Sequence, residues 1–533
     1  MRTNVAAGVF AGSLVFATGL AQAQWTDNPA ANTPVVVNPG NQTVTKTAIA
    51  PDGSSWTGWF DFGYSNVQMR VQRLDAAGNP TFGPAGLLVS NNTQGTSVVD
   101  WDLRADSDGN CVLAFVDIRA GGDNDVYAYL IAPDGTSLWG PNGVTVSDNS
   151  EFEADPRVMQ LSGGDYAVVW PRFDVNPGLV MQRISPAGVK AFGGDGVLIY
   201  SSGTEEPAFL EMVPTSDNGL LIAWIRNIAS FLSPRHVYAQ KFDASGAMQW
   251  GGSPIIVSNA TSVPIAHKPR ILNDGSDGAV IAWHDTRDGD FDSYVQRISP
   301  AGAVQFAANG LPASGEPGRQ QLDPAIAMAP SGDIMMFFRN LDGAQSSQST
   351  NLQRFDGATG ARELGTNGVA LLAFNGQFKG APRAVPHATG AAAVVDRQPT
   401  LGNTDGTLEM LIADESGVLL TGGAISVSTA TSSKGRLNVN RDAASRTLVT
   451  WSDDRNGDED IYAQIVNADG TLGAAGCPAD LAAPFGVLNF FDLAAYIGLY
   501  NAGDPAADLA APFGSLNFFD VAAYIASYNA GCP

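Results

Sequence analysis

Apolar residues in this chain fall in short runs with alternating polar positions, separated by Asp-Gly, Gly-Gly and Asn-Gly pairs. That is the pattern of antiparallel strands joined by tight turns. One run ends on an aromatic residue and often an Asp: VLAFVD at Asp117, YAVVW at Trp170, LLIAW at Trp224, VIAWHD at Asp285 and TLVTWSD at Asp453. Weaker copies end at Trp59, Phe337 and Val395, and counted at the aromatic positions Phe115, Trp170, Trp224, Trp283 and Trp451 with these three, the anchors recur every 54 to 59 residues. A strand carrying Gln follows, closed by a turn Gly, as in Gln72…Gly78, Gln182…Gly188, Gln240…Gly246 and Gln296…Gly302. A third element is an aromatic residue or Leu, then Gly or Pro, then a β-branched run, as in QWGGSPIIVS.

Eight such units at one period predict an all-β, eight-bladed β-propeller over residues 24–473, each blade a four-stranded antiparallel sheet. The eighth unit stops after Gly473 without its third element, and Trp25…Thr33-Pro-Val-Val-Val37 supplies a matching segment. The N-terminal strand is therefore expected to complete the last blade from its outer edge, which removes an exposed edge. The inner strands then begin near Asp155 or Lys268. The repeat resembles bacterial secreted propeller repeats of the form W-x-D-x-R-x-G-x-x-D-I-Y-A-Q, best matched by Trp451–Gln464 and Trp283–Gln296. The resemblance implies an architecture and no particular activity.

Composition adjusts this picture. The 60 glycines among 533 residues suit a turn-rich β protein. The net charge of −24 argues against nucleic acid or an anionic membrane as partner. Arg2, the apolar stretch Val5–Leu20 and Ala21-Gln22-Ala23 predict a signal peptide over 1–23 and a secreted or cell-surface protein. No later stretch reaches the ~18 apolar residues of a membrane span. Cys477 and Cys532 flank one compact unit and form the natural disulfide, roughly 4 kcal/mol by loop closure. Cys111, within an apolar run, reads as a buried free thiol.

Two features concentrate polar chemistry on the propeller face. Arg104, Arg157, Arg270, Arg383 and Arg436 open inner strands beside the channel. One expectation is that each forks the Asp ending a neighbouring second strand and staples blades together. The other is a positive ring able to hold an anionic glycan. The loops from second to third strands are acidic, and Asp288, Asp290 and Asp292 have the alternate spacing of a Ca²⁺ loop. No catalytic residues are assigned. The four histidines, His236, His267, His284 and His387, show no triad or zinc spacing.

The tail states one unit twice. Asp480–Gly503 and Asp508–Gly531 agree at 20 of 24 positions. Asn489 with Asp492 forms a capping box, and Leu493, Tyr496, Ile497 and Tyr500 give an apolar stripe ended by Gly503. The segment 477–533 resembles a dockerin module of the kind ending in Gly-Cys-Pro. That resemblance implies an extracellular scaffold or envelope partner, such as a cohesin-like protein, and paired Ca²⁺ loops. The side-chain oxygens left for calcium are Asp480, Asn489 and Asp492, then Asp508, Asn517 and Asp520, because Ala482 and Pro484 occupy ligand positions. Phe490, Phe491, Phe518 and Phe519 stand where dockerins contact partners, and read as core or as a partner surface. The leading reading is a non-catalytic, tethered binding protein. The alternatives are a propeller glycoside hydrolase or polysaccharide lyase with the same tail, and a coat component.

Overall fold

The computed structural model describes residues 25–92, 94, 100–173, 177–203, 205–228, 234–264, 267–287, 289–474, 479–482, 488–504, 507–510 and 515–530. The expected signal peptide, and Cys477 and Cys532 with their expected disulfide, lie outside the described residues. Cys111 is free and buried, and burial pushes its thiol well above the usual range.

The described residues between 33 and 466 form antiparallel sheets arranged in a propeller-like way. Six are four-stranded, with strands in chain order from Gln42–Ile49 to Val369–Asn375. An eight-stranded sheet covers the rest, because the strand Ile425–Arg441 serves two hairpin systems in succession. Its far edge is the N-terminal strand Thr33–Val36, paired with Asp460–Val466. The expected order holds within each sheet: the strand entering near Asp155 or Lys268 is first, the aromatic-ended strand second and the Gln strand third.

First strands of successive sheets touch one another. Gln42–Ile49 lies against Asp102–Ala105, and contact passes through Arg157–Gln160, Glu206–Pro214, Arg270–Asn273, Arg319–Met328 and Arg383–His387 to Ile425–Arg441. That strand in turn meets Gln42–Ile49. The cores lie between sheets, where fully buried Trp56, Trp170, Trp224, Trp283 and Trp451 pack against neighbouring aliphatic rows.

Two repeated devices explain why these residues recur. The buried third-strand Gln clamps the connection to the fourth strand: Gln296 Nε2 donates to Ala307 O at 2.8 Å, and its Oε1 accepts from Phe306 N at 2.9 Å. Gln72, Gln182, Gln240 and Gln353 make equivalent bonds. The turn Gly then lets the next sheet approach. Gly302 has φ +83°, and a Cβ there would stand 2.7 Å from Trp250, whose Nε1 donates to Pro300 O at 2.9 Å. Trp139 is seated the same way against Gly188 and Pro186 O. The N-terminal segment copies both devices. Trp25 Nε1 donates to Ala76 O at 3.0 Å beside Gly78, and Gln464 Nε2 donates to Thr26 O at 2.6 Å.

Among the described residues the tail holds two helices, α1 (Phe490–Ala502) and α2 (Phe518–Ala530). Asn489 caps α1 in the expected capping box and Gly503 closes it at φ 69°. The rings of Tyr496 and Tyr524 stack at 3.9 Å, and each hydroxyl crosses to the other unit, Tyr496 to Ala507 O and Tyr524 to Ala479 O. The expected stripe is corrected at one position. Ile497 is 56% exposed and its copy Ile525 46%, while Leu493, Leu499 and Tyr500 pack against the tyrosines. Once the helices cross at the stacked tyrosines, the next position turns outward.

Candidate functional site

Where the first strands converge they enclose a cavity of about 710 Å³. Its entrance is shaped by an irregularity that recurs around the molecule. Val44, Asp155, Phe209, Asp323 and Arg436 all have positive φ, between 44° and 56°, although none is Gly. Four of them sit at register shifts in the first strand, between Thr43 and Lys46, Ala208 and Glu211, Leu322 and Ala325, and Gly435 and Asn438. A bulge re-aims the side chains that follow it. A left-handed non-Gly residue costs about 1–3 kcal/mol and persists where the surroundings impose it. Here Lys46, Glu211 and Asn438 follow the bulges into the cavity wall.

The lining is strongly charged and carries more basic than acidic groups, opposite in sign to the whole chain. Lys46, Arg104, Arg157, Lys268, Arg270, Arg383 and Arg436 face only Asp100, Asp102, Asp155 and Glu211. All five sequence-predicted arginines are therefore brought together, and they fall into two classes. Arg157 is 2% exposed and pairs with Asp100 at 3.0 Å and Glu211 at 3.5 Å. Lys46 and Lys268 share the same Asp100. Burial would raise the Asp100 carboxyl, but Lys46, Arg157 and Lys268 hold it well below the usual carboxylate range. Arg104 pairs with Asp102 in its own strand. Arg270, Arg383 and Arg436 make no ion pair among the described residues. Burial, and then the neighbouring charge of Arg270, bring Arg383 down to about 10.

The expected stapling of inner-strand Arg to second-strand Asp is thus corrected. The Asp that ends the second strand is taken by the Arg two residues on, in its own loop: Asp117 by Arg119, Asp285 by Arg287 and Asp453 by Arg455. The intervening turn folds the guanidinium straight back, a shorter reach than crossing to the next sheet. Trp283 and Trp451 donate Nε1 to the same carboxylates at 2.9 and 2.8 Å, and Arg287 and Arg455 lie over Tyr294 and Tyr462 at 3.6 and 4.0 Å. The W-x-D-x-R…Y pattern is one local knot, and it leaves the channel arginines free for other work.

Beside the cavity, and sharing Lys268, Arg270 and Arg383 with it, is a second pocket of about 350 Å³. It holds His267 and His284, whose rings approach to 4.1 Å. His284 Nδ1 accepts from the backbone N–H of left-handed Asp323 at 3.2 Å, which puts the proton of the neutral ring on Nε2. Asp323 in turn binds Arg339 at 2.9 Å. Among the described residues His267 Nε2 is buried without a hydrogen-bond partner. Burial, with Asp323 and Asp285 opposing it, brings His284 down to about 4; burial and the charges of His284 and Arg270 hold His267 well below its usual value. Sequence reasoning missed this pair. Lys268 and Arg270, flanking His267 at the start of a first strand, were the available signal.

Of the candidate Ca²⁺ loop residues, Asp292 opens a third strand opposite Asp285 and Asp290 lies on the preceding turn, while Asp288 is outside the described residues. Among the described residues no group of three or more His, Cys, Asp or Glu side chains is placed to hold a metal ion. In the tail, Asp492 accepts backbone N–H bonds from Leu481, Ala482 and Asn489, each at 2.8 Å, and Asp520 does the same for Leu509, Ala510 and Asn517. Burial opposes this, but these amides hold both carboxyls below the usual range. Asn489 and Asn517 are spent on Phe491 and Phe519 N–H, while Asp480 and Asp508 lie against Asp492 and Asp520. Phe490, Phe491, Phe518 and Phe519 are 74%, 62%, 76% and 62% exposed, so they are surface and not core.

No protein-family model matches the chain, and no curated protein matches it by sequence. Among solved structures it is distantly similar to a PL25 ulvan lyase bound to a glucuronate–rhamnose-3-sulfate unit (9% identity, TM-score 0.41, covering 85% of this chain and 96% of that one). It is also similar to a GH93 α-L-arabinofuranosidase of Fusarium graminearum (11%, 0.35, 82% and 97%) and to a protein of unknown function from Dyadobacter fermentans (14%, 0.36, 60% and 96%). No described helix is long and apolar enough to cross a membrane.

Proposed function

We propose that this is a secreted, eight-bladed propeller that binds an anionic glycan in its central cavity and is held at an extracellular scaffold or envelope by its tail. Eight is the count obtained when the long strand Ile425–Arg441 is divided between two blades, with Thr33–Val36 as the outer strand of the last. The observation that carries the ligand reading is the set Arg270, Arg383 and Arg436, without an ion pair among the described residues and lining a cavity of about 710 Å³. Guanidinium groups left without carboxylates repel one another and match the planar carboxylate or sulfate of an acidic sugar. Arg383→Ala and Arg270→Ala should weaken binding to an acidic-glycan array roughly tenfold or more, while the melting temperature holds or rises as like-charge repulsion is relieved. A lowered melting temperature with unchanged binding overturns the reading.

The dockerin-like tail is the attachment element in this proposal, with Phe490, Phe491, Phe518 and Phe519 as its exposed contact surface. Asp492 and Asp520 bind backbone amides, which supports loops that stay closed without calcium. Full-length protein should be retained on a cell-envelope fraction with or without chelator, and protein ending at Gly473 should not. Equal retention of both refutes the attachment role; loss on chelation assigns calcium to the loops.

A further inference from the structure

We infer that the pocket holding His267 and His284 is a catalytic centre that cleaves a uronate-containing chain by β-elimination. The inference rests on the anionic-glycan reading of the adjoining cavity and assigns it a substrate class, uronates, and a reaction.

Three observations converge. Arg270 and Arg383 line both the cavity and the pocket, so an acid group bound between them lies next to the histidines. Each arginine is free of ion pairs among the described residues, and so is available to a ligand carboxylate. Charge neutralisation of that carboxylate is what makes its α-hydrogen removable, since the carbanion formed delocalises onto the carboxyl oxygens. His267 then supplies a base. Its Nε2 is buried and has no hydrogen-bond partner among the described residues, which is costly for a purely structural residue. Its surroundings hold the ring neutral, and only a neutral imidazole accepts a proton. His284 differs in role. With Nδ1 occupied by the Asp323 N–H, it presents Nε2–H as a donor, suited to the developing oxyanion.

The step balances within the substrate and one imidazole. His267 Nε2 takes the proton from C5 of the uronate. The C5–H electron pair becomes the C4=C5 double bond, and the C4–O bond breaks with its pair going to oxygen. The His267 imidazolium returns the proton to that oxygen. The products are a 4,5-unsaturated uronate and a new hydroxyl end, with no water, oxidant or metal consumed. A buried pair of neutral histidines next to unpaired arginines has no such use in a protein that only binds.

The test uses full-length protein with hyaluronan, alginate and polygalacturonate as probes, following binding by calorimetry and elimination by the ultraviolet absorbance of the conjugated product. A polymer that binds should be converted to unsaturated fragments. His267→Gln should lower turnover about 100-fold or more, with the dissociation constant within about twofold of the parent and an unchanged melting temperature. His284→Asn, at a buried position, is read against its own melt and should lower turnover where it folds. A polymer that binds without cleavage, or with release of saturated ends only, overturns the elimination and leaves the binding reading standing. Failure of every polymer to bind overturns both.

Discussion

At the residue scale, Asp453 shows how the propeller repeat secures its loops. The fully buried carboxylate accepts from Trp451 Nε1 at 2.8 Å, Ser432 Oγ at 2.6 Å and Arg455 Nη2 at 2.5 Å, with Lys434 Nζ at 3.2 Å. Burial works against the charge, but Arg455, Ser432, Trp451 and Lys434 outweigh it and hold the carboxyl well below the usual range. Asp453→Asn leaves two cations facing an amide and should cost about 3–5 kcal/mol, read by urea unfolding. The acid limb follows from the same shifts. The Asp453 contribution is complete above the ordinary carboxylate range and fades as pH falls through it. His284, held down to about 4, acts earlier, because the unfolded chain binds its proton from about pH 6.5 downward and the folded chain does not. The His284 contribution to the unfolding free energy should therefore begin to fall below about pH 6.5, and the Asp453 contribution below about pH 4, each read as the difference between the parent and the variant at that position. Arg270, Arg339, Asp285 and Asp323 are the charged groups acting on this histidine pair.

At the element scale, the seam between chain ends reuses the standard sheet-to-sheet joint. Trp25 does for Gly78 what Trp250 does for Gly302. Trp25→Ala removes a buried indole and its hydrogen bond, and should cost about 3–5 kcal/mol by the measure of large core truncations, with chemical denaturation as the readout. The strand order was legible from residues alone, because period-2 runs, turn glycines and buried Gln are local signals and Trp25 repeats the motif of Trp250. The tail helices were legible for the same reason, through Asn489, Asp492 and Gly503. The entrance bulges were not. Nothing in Val44 or Phe209 announces positive φ; it is imposed by neighbouring first strands crowding one channel. Arg pairing is not legible in the sequence because Asp285 has two arginines to choose between, and only the backbone turn decides that Arg287 is its partner. His267 and His284 meet through packing beside the first strand of their sheet, which no spacing rule encodes.

At the scale of the whole molecule, an acidic exterior surrounds a basic interior. Lys46, Arg157 and Lys268 share Asp100 and Glu211, while Arg270, Arg383 and Arg436 add positive charge with no ion pair among the described residues. The net charge of −24 repels acidic polymers at long range, so entry of such a ligand is favoured by salt that screens the exterior, until the same salt weakens the inner contacts. The seam has a further consequence, for the order in which the protein is made. Asn32 bonds to Gln464, 432 residues later. At ~5–20 residues per second, roughly 20–90 seconds of synthesis separate the two. Throughout that interval the first strand has no partner, and an unpaired strand invites pairing with another chain. Its brevity, four residues, and Pro34, which offers no N–H, make it a poor template for a stranger. The strand that locks the finished molecule is thus also built to wait.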